Sequence, residues 1–102
     1  MLLKDMIMKE KKLPIIYYVV SLGYATRDNY NICFEAKEIK NILSKYIRMD
    51  KKGKLIISQY RIENRHILED YSRNEFVKVY FDEIYNDIHA WSHITDLTID
   101  LY

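Results

Sequence analysis

The sequence predicts an α+β domain. Two similar strand–strand–helix motifs, an internal duplication, form an antiparallel sheet with two packed helices, and a C-terminal strand is added at the end. Three observations lead there. The stretch Ile15-Ile-Tyr-Tyr-Val-Val-Ser-Leu-Gly-Tyr24 carries no charge and is rich in β-branched and aromatic residues, the types that suit a pleated, packed surface. Ile39, Ile42, Leu43, Tyr46 and Ile47 recur at helical spacing. The order strand, strand, helix is then read a second time in the C-terminal half.

Taken in order, residues 1–12 place Leu2, Leu3, Met6 and Ile7 beside several charges, which suits an N-terminal arm or short helix. Motif one covers about 13–50. Pro14 opens its first strand, where a missing N–H is tolerated, and Gly23 marks the exit. Both faces of Ile15–Leu22 are apolar, so this strand is expected to be covered on both sides. Ala25–Asn29 reads as a hairpin turn. Tyr30, Ile32 and Phe34 then alternate with Asn31, Cys33 and Glu35, which puts Cys33 on the polar side of a half-buried strand. The first helix spans Ala36–Met49 and ends at Asp50-Lys-Lys-Gly53.

Motif two covers about 54–102. Leu55–Ile62 is its first strand, Glu63–Arg65 a turn and His66–Tyr71 the return strand. Ser72-Arg-Asn-Glu75 has the form of a capping box and starts a helix from Arg73 to His93, with Val77, Phe81, Ile84, Ile88 and Trp91 on one face. Leu97, Ile99 and Leu101 alternate with polar residues in a final strand. Lys12-Leu-Pro-Ile-Ile16 echoes Lys54-Leu-Ile-Ile57, and Glu38–Leu43 echoes Glu83–Ile88, in support of the duplication.

At 102 residues the chain is read as a single domain. No apolar run reaches the ~20 residues of a membrane span. The N-terminus has no signal-peptide pattern. The one cysteine, Cys33, permits no internal disulfide and favours an intracellular setting. It has no base at motif spacing and reads as a structural thiol. Abundant Ile and Lys with a single Gln follows either from hyperthermophile adaptation or from an AT-rich genome. The net charge of +1 hides an asymmetry: Met1–Arg61 has 13 basic and 6 acidic residues, Ile62–Tyr102 has 3 and 9. Such a division points to a charged partner surface, to head-to-tail self-association, or to attraction between the halves of one fold.

In length, Ile/Lys/Tyr/Asn bias, lack of any functional motif and two half-length similar units, the chain resembles the orphan proteins of filamentous viruses that infect hyperthermophilic archaea. The resemblance implies two structurally alike motifs, a place in the host-cell cytoplasm, and protein–protein contact at a groove between the motifs. It implies no catalytic residue and no cofactor.

The residues themselves favour no enzyme chemistry. His89 and His93 stand at i and i+4, but the intervening Ala90-Trp-Ser92 lacks the acidic residue of the metalloprotease pattern, so no metal site is assigned. Glu69 and Asp70 on a strand point to opposite faces. Asp82, Glu83 and Asp87 read as a solvated helix face, and two glycines build no phosphate loop. Two binding readings are left. Ten tyrosines and one tryptophan suit an interface, which ranks a protein-interaction module first: an extended partner segment in a groove between the motifs, contacted by Tyr46, Tyr60, Trp91 and Tyr102. The alternative is nucleic-acid binding through the basic face of the first helix, Lys37, Lys40, Lys45 and Arg48, continued by Lys51 and Lys52.

Overall fold

The uncharged stretch becomes β1, Ile16–Leu22, and is paired along both edges. The computed structural model of the chain describes residues 12–101. The predicted N-terminal arm and Tyr102 therefore lie outside the described residues, apart from Lys12. The other strands are β2 (Asn31–Cys33), β3 (Gly53–Ile62) and β4 (Trp91–Leu101), in an antiparallel sheet ordered β2-β1-β3-β4. The helices are α1 (Ala36–Arg48), α2 (Arg65–Asp70) and α3 (Arg73–Val79), the last running into a π-helical turn at Tyr80–Ile84.

Two compact units are formed: Ile16–Arg61 with 93–101, and 12–15 with Ile62–Ser92. Neither coincides with a predicted motif. The basic and acidic halves are not kept apart either, because the C-terminal strand with Asp96 and Asp100 folds with the basic α1.

In the sheet unit, β1 lies opposite β3 from Ile16–Arg61 to Leu22–Leu55 and opposite β2 from Tyr18–Cys33 to Val20–Asn31. Gly23 takes a left-handed φ of 79° as the chain leaves β1, a conformation that costs glycine little. The turn after it closes through Thr26 and Asn29, each donating its N–H to the other's carbonyl. The side chain of Asn29 donates to the Leu22 carbonyl at 3.0 Å. Helix α1 is started by Glu38, whose carboxylate accepts the N–H groups of Phe34 and Glu35 at 2.8 and 2.9 Å, donors the helix itself cannot satisfy. Its apolar stripe of Ile39, Ile42, Leu43 and Tyr46 packs on a cluster of Val20, Cys33, Leu55, Ile57 and Leu101. On the other sheet face Tyr17, fully buried, stacks on its cross-strand neighbour Tyr60 at 5.3 Å. Coverage of β1 on both sides is thus as expected.

Cys33 is not on a polar face. It is 1% exposed and packs under α1, because it pairs with Tyr18 on that side of the sheet. Where both faces of a sheet are covered, alternation of residue type no longer separates inside from outside.

The second unit departs further from expectation. His66–Tyr71 is not a return strand: Arg65–Asp70 is helical, started by Asn64, whose side-chain oxygen accepts the His66 N–H at 2.9 Å. Six residues are too few for periodicity to choose between strand and helix, and the cap decides. Without that strand the strand–strand–helix order does not recur among the described residues. The Ser72 capping box forms as predicted, with Glu75 N–H donating to the Ser72 hydroxyl and Ser72 N–H to the Glu75 carboxylate.

The helix it starts stops well short of His93. Tyr85 N–H bonds the Tyr80 carbonyl, a π-type step, and Asn86 donates its side-chain amide to the Phe81 and Asp82 carbonyls, closing the helix end. Asp87 then accepts the His89 N–H in a side-chain turn. The buried face is consequently Phe76, Tyr80 and Ile84, while Ile88 is 75% exposed.

Two stability outcomes follow. Leu55→Ala, which empties a fully buried position, should cost about 2–5 kcal/mol in urea unfolding. Asn64→Ala should cost about 1 kcal/mol by removing the α2 cap.

Candidate functional site

The stripe of α1 packs on residues from all four strands, Val20 of β1, Cys33 of β2, Leu55 and Ile57 of β3 and Leu101 of β4, but does not cover the whole length of the face. On the β3–β4 side an open groove of ≈ 570 Å³ is left, floored by Ile57, Leu97 and Ile99 and walled by Ala36, Ile39 and Leu43. Lys40, Gln59 and Thr95 supply its polar rim. Leu97 is 58% exposed there.

The groove runs beside the edge strand β4. Among the described residues no strand pairs with the outer edge of β4. The two edges of the sheet differ sharply. β2 is only three residues long, and a short edge offers little backbone to a passing strand. β4 is eleven residues, Trp-Ser-His-Ile-Thr-Asp-Leu-Thr-Ile-Asp-Leu, with neither lysine nor proline to discourage pairing.

On the opposite face of β4 lies a polar constellation. His93 Nε2 is 2.8 Å from Asp96 Oδ1, and the His93 ring lies 5.2 Å from that of Tyr60. Residues 93 and 96 would face opposite ways in a regular strand, so β4 departs from simple alternation between them. Asp96 also accepts a hydrogen bond from Ser58, and these bonds, Ser58 first and His93 second, hold its carboxyl below the usual carboxylate range. Serine, histidine and aspartate thus meet, but with the carboxylate in the middle. A nucleophilic triad needs the imidazole between the other two, to take the hydroxyl proton. Here Ser58 is directed at Asp96, and the trio ties β3 to β4.

Of the sequence-predicted contact residues, Tyr46 and Tyr60 lie on opposite faces of the sheet. Tyr46 packs under α1 on one face of the sheet, while Tyr60 stacks on Tyr17 on the other. Trp91, in the second unit, lies flat on Tyr85 at 5.5 Å and donates its indole N–H to the Tyr85 carbonyl. Each of the three is engaged in packing. The residues that do line the open groove, Leu97 and Ile99 above all, were legible only as a strand with alternating polarity.

The basic residues fare differently. Lys37, Lys40, Lys45 and Arg48 all project from the outer side of α1, followed by Lys51 and Lys52. Lys37 pairs with Glu35 at 3.7 Å and Lys52 with Asp50 at 3.0 Å, both in solvent and worth little. The one acid within α1, Glu38, is turned back to the cap, so the outer face carries positive charge only.

His89 and His93 do not stack as i, i+4 neighbours, since one sits in a turn and the other in β4. Among the described residues no three His, Cys, Asp or Glu side chains converge as metal ligands. Glu69 and Asp70 are exposed on α2 rather than on a strand. Asp82, Glu83 and Asp87 are exposed, as expected of a solvated face. No helix among the described residues is long and apolar enough to cross a membrane. No protein family matches the chain, and neither a curated protein nor a solved structure is significantly similar to it.

Cys33 supplies a prediction with a defined sign. Burial, with the Glu38 carboxylate adding to it, pushes its thiol up to about 12 from an ordinary value of 9.0. The native thiol should therefore resist a disulfide reagent at neutral pH and react at once in denaturant. Because the folded-state value is the raised one, the associated stability is intact below pH ~9 and is lost as pH climbs toward 12. Urea midpoints across that window check it, and a Cys33→Ser protein should show the weaker dependence.

Proposed function

We propose that this chain is a non-enzymatic protein-interaction module whose binding element is the outer edge of β4 together with the groove beside α1. A strand from another polypeptide adds to β4 through backbone hydrogen bonds, and alternate side chains of that strand enter the groove. One observation carries the reading: an eleven-residue edge free of lysine and proline, with an exposed leucine opening onto an apolar channel. Sheet proteins ordinarily protect such an edge, and the short β2 is protected. Backbone pairing supplies affinity with little sequence preference, and the apolar channel selects among partners. This edge takes the place of the seam expected between duplicated motifs.

The wholly basic outer face of α1 favours a second reading, contact with nucleic-acid phosphates. Apart from Lys40, which also stands at the groove rim, it involves different side chains.

Random extended peptides selected against the protein should bind with micromolar affinity and slow hydrogen exchange of the β4 amides. Leu97→Lys should abolish that binding, whereas replacing Lys37, Lys45 and Arg48 by Ala should leave it intact. Selected peptides that bind Leu97→Lys equally well would sink the edge reading. For the second reading, the Lys40/Lys45/Arg48→Ala protein should flatten the salt dependence of duplex binding by about 0.9 in log–log slope for each phosphate no longer neutralised. Absence of any gel shift by the wild-type protein at low salt would end it.

A further inference from the structure

We infer that the strand taken up by β4 is β4 of a second copy of this chain, paired antiparallel about a twofold axis at Leu97. The inference rests on the edge reading above and names its partner. Antiparallel self-pairing of one strand is isologous, so a residue and its opposite number lie symmetrically about the axis and share a face. The axis must therefore pass through a residue, and the sequence of β4 discriminates among the choices. An axis at Asp96 sets that carboxylate against itself. An axis at Thr98 sets Asp96 against Asp100. Both are like-charge pairs, which destabilise a ladder. An axis at Thr95 puts the irregular stretch between His93 and Asp96 at the centre of the new ladder. An axis at Ile99 leaves only the last few residues of β4 to pair.

The Leu97 axis avoids all of these. On the groove face it sets Leu97 against its counterpart and Thr95 against Ile99, so the exposed leucine is covered by its own symmetry mate. On the other face it sets Asp96 opposite Thr98, whose hydroxyl can donate to the carboxylate, and Asp100 opposite Ile94. No like charges are opposed. The irregular stretch falls on either side of the axis, leaving Asp96–Thr98 as the regular centre of the ladder.

The second copy also completes the site. A twofold axis perpendicular to the sheet keeps both α1 helices on one face of a continuous eight-stranded sheet. The two grooves then join into a single trough, floored by Leu97 and Ile99 of both copies and walled by the two helices with Lys40 at each rim. The interface is small, made of one ladder and a few side chains, so dissociation in the micromolar range is expected.

Sedimentation equilibrium over low to high micromolar protein should give a mass rising from monomer to dimer. Leu97→Lys, which places two ammonium groups on the axis, should weaken the dimer at least about tenfold, as should Leu97→Glu. An equimolar mixture of the two should recover a heterodimer, which a folding defect in either variant would not allow; circular dichroism checks the fold of each. Leu97→Cys should form an intermolecular disulfide on mild oxidation, with the buried Cys33 left unlabelled. Thr98→Cys should not cross-link to itself but should do so to Asp96→Cys. A wild-type protein that stays monomeric while peptides still protect the β4 amides would overturn the second copy alone. A dimer untouched by either Leu97 charge would place association elsewhere and overturn the second copy at β4, and if selected peptides also bind Leu97→Lys equally well the edge reading falls with it. Equal self-cross-linking at Leu97→Cys and Thr98→Cys would overturn the register.

Discussion

The packing of a single helix against one face of a four-stranded sheet constrains most of what this protein presents to its surroundings. Helix α1 is held by Ile39, Ile42, Leu43 and Tyr46, and its apolar stripe falls on the cluster of Val20, Cys33, Leu55, Ile57 and Leu101. The cover stops short of one part of that face: Ile57 and Leu101 are buried, while Leu97 of β4 is left 58% exposed. The groove lies where that cover stops. The outward exposure of the lysines has the same origin, since the stripe that points α1 at the sheet turns Lys37, Lys40, Lys45 and Arg48 to solvent.

The two edges of the sheet show how strand length alone distributes reactivity. β2 ends after three residues because the chain turns at once into α1, with Glu38 capping back on Phe34 and Glu35. β4 meets no such turn and continues for eleven residues. Its polar side is used internally, where Asp96 is bonded by Ser58 and His93, and this fastens β4 to β3 while leaving its outer backbone groups uncommitted among the described residues. The arrangement leaves the strand firmly held on one side and open on the other, which is what strand addition requires.

The second unit is built by different means. Short helices are individually marginal, and here they are set by side-chain caps, Asn64 for α2 and the Ser72–Glu75 box for α3. A chain of ring contacts then runs from Phe76 through Tyr80 and Tyr85 to Trp91. Many of the aromatics that suggested an interface are consumed in this way. Rings pack well when offset or tilted at about 5–6 Å, so a high aromatic content can serve a small core as readily as a surface.

Sequence alone determined the parts whose signal is local and repeated. The uncharged β1 stretch, the 3.6-residue stripe of α1, the Ser72 capping box and the alternation near the C-terminus all reappear where they were read. The fate of His66–Tyr71 and the end of the second helix were decided by single hydrogen bonds, from Asn64 and Asn86, which outweigh weak propensities in short segments. The side taken by Cys33 was decided by its pairing with Tyr18, and the exposure of Leu97 by where the cover of α1 stops. Those are properties of register and packing. They depend on which residues meet across the fold, and no pattern along the chain encodes that.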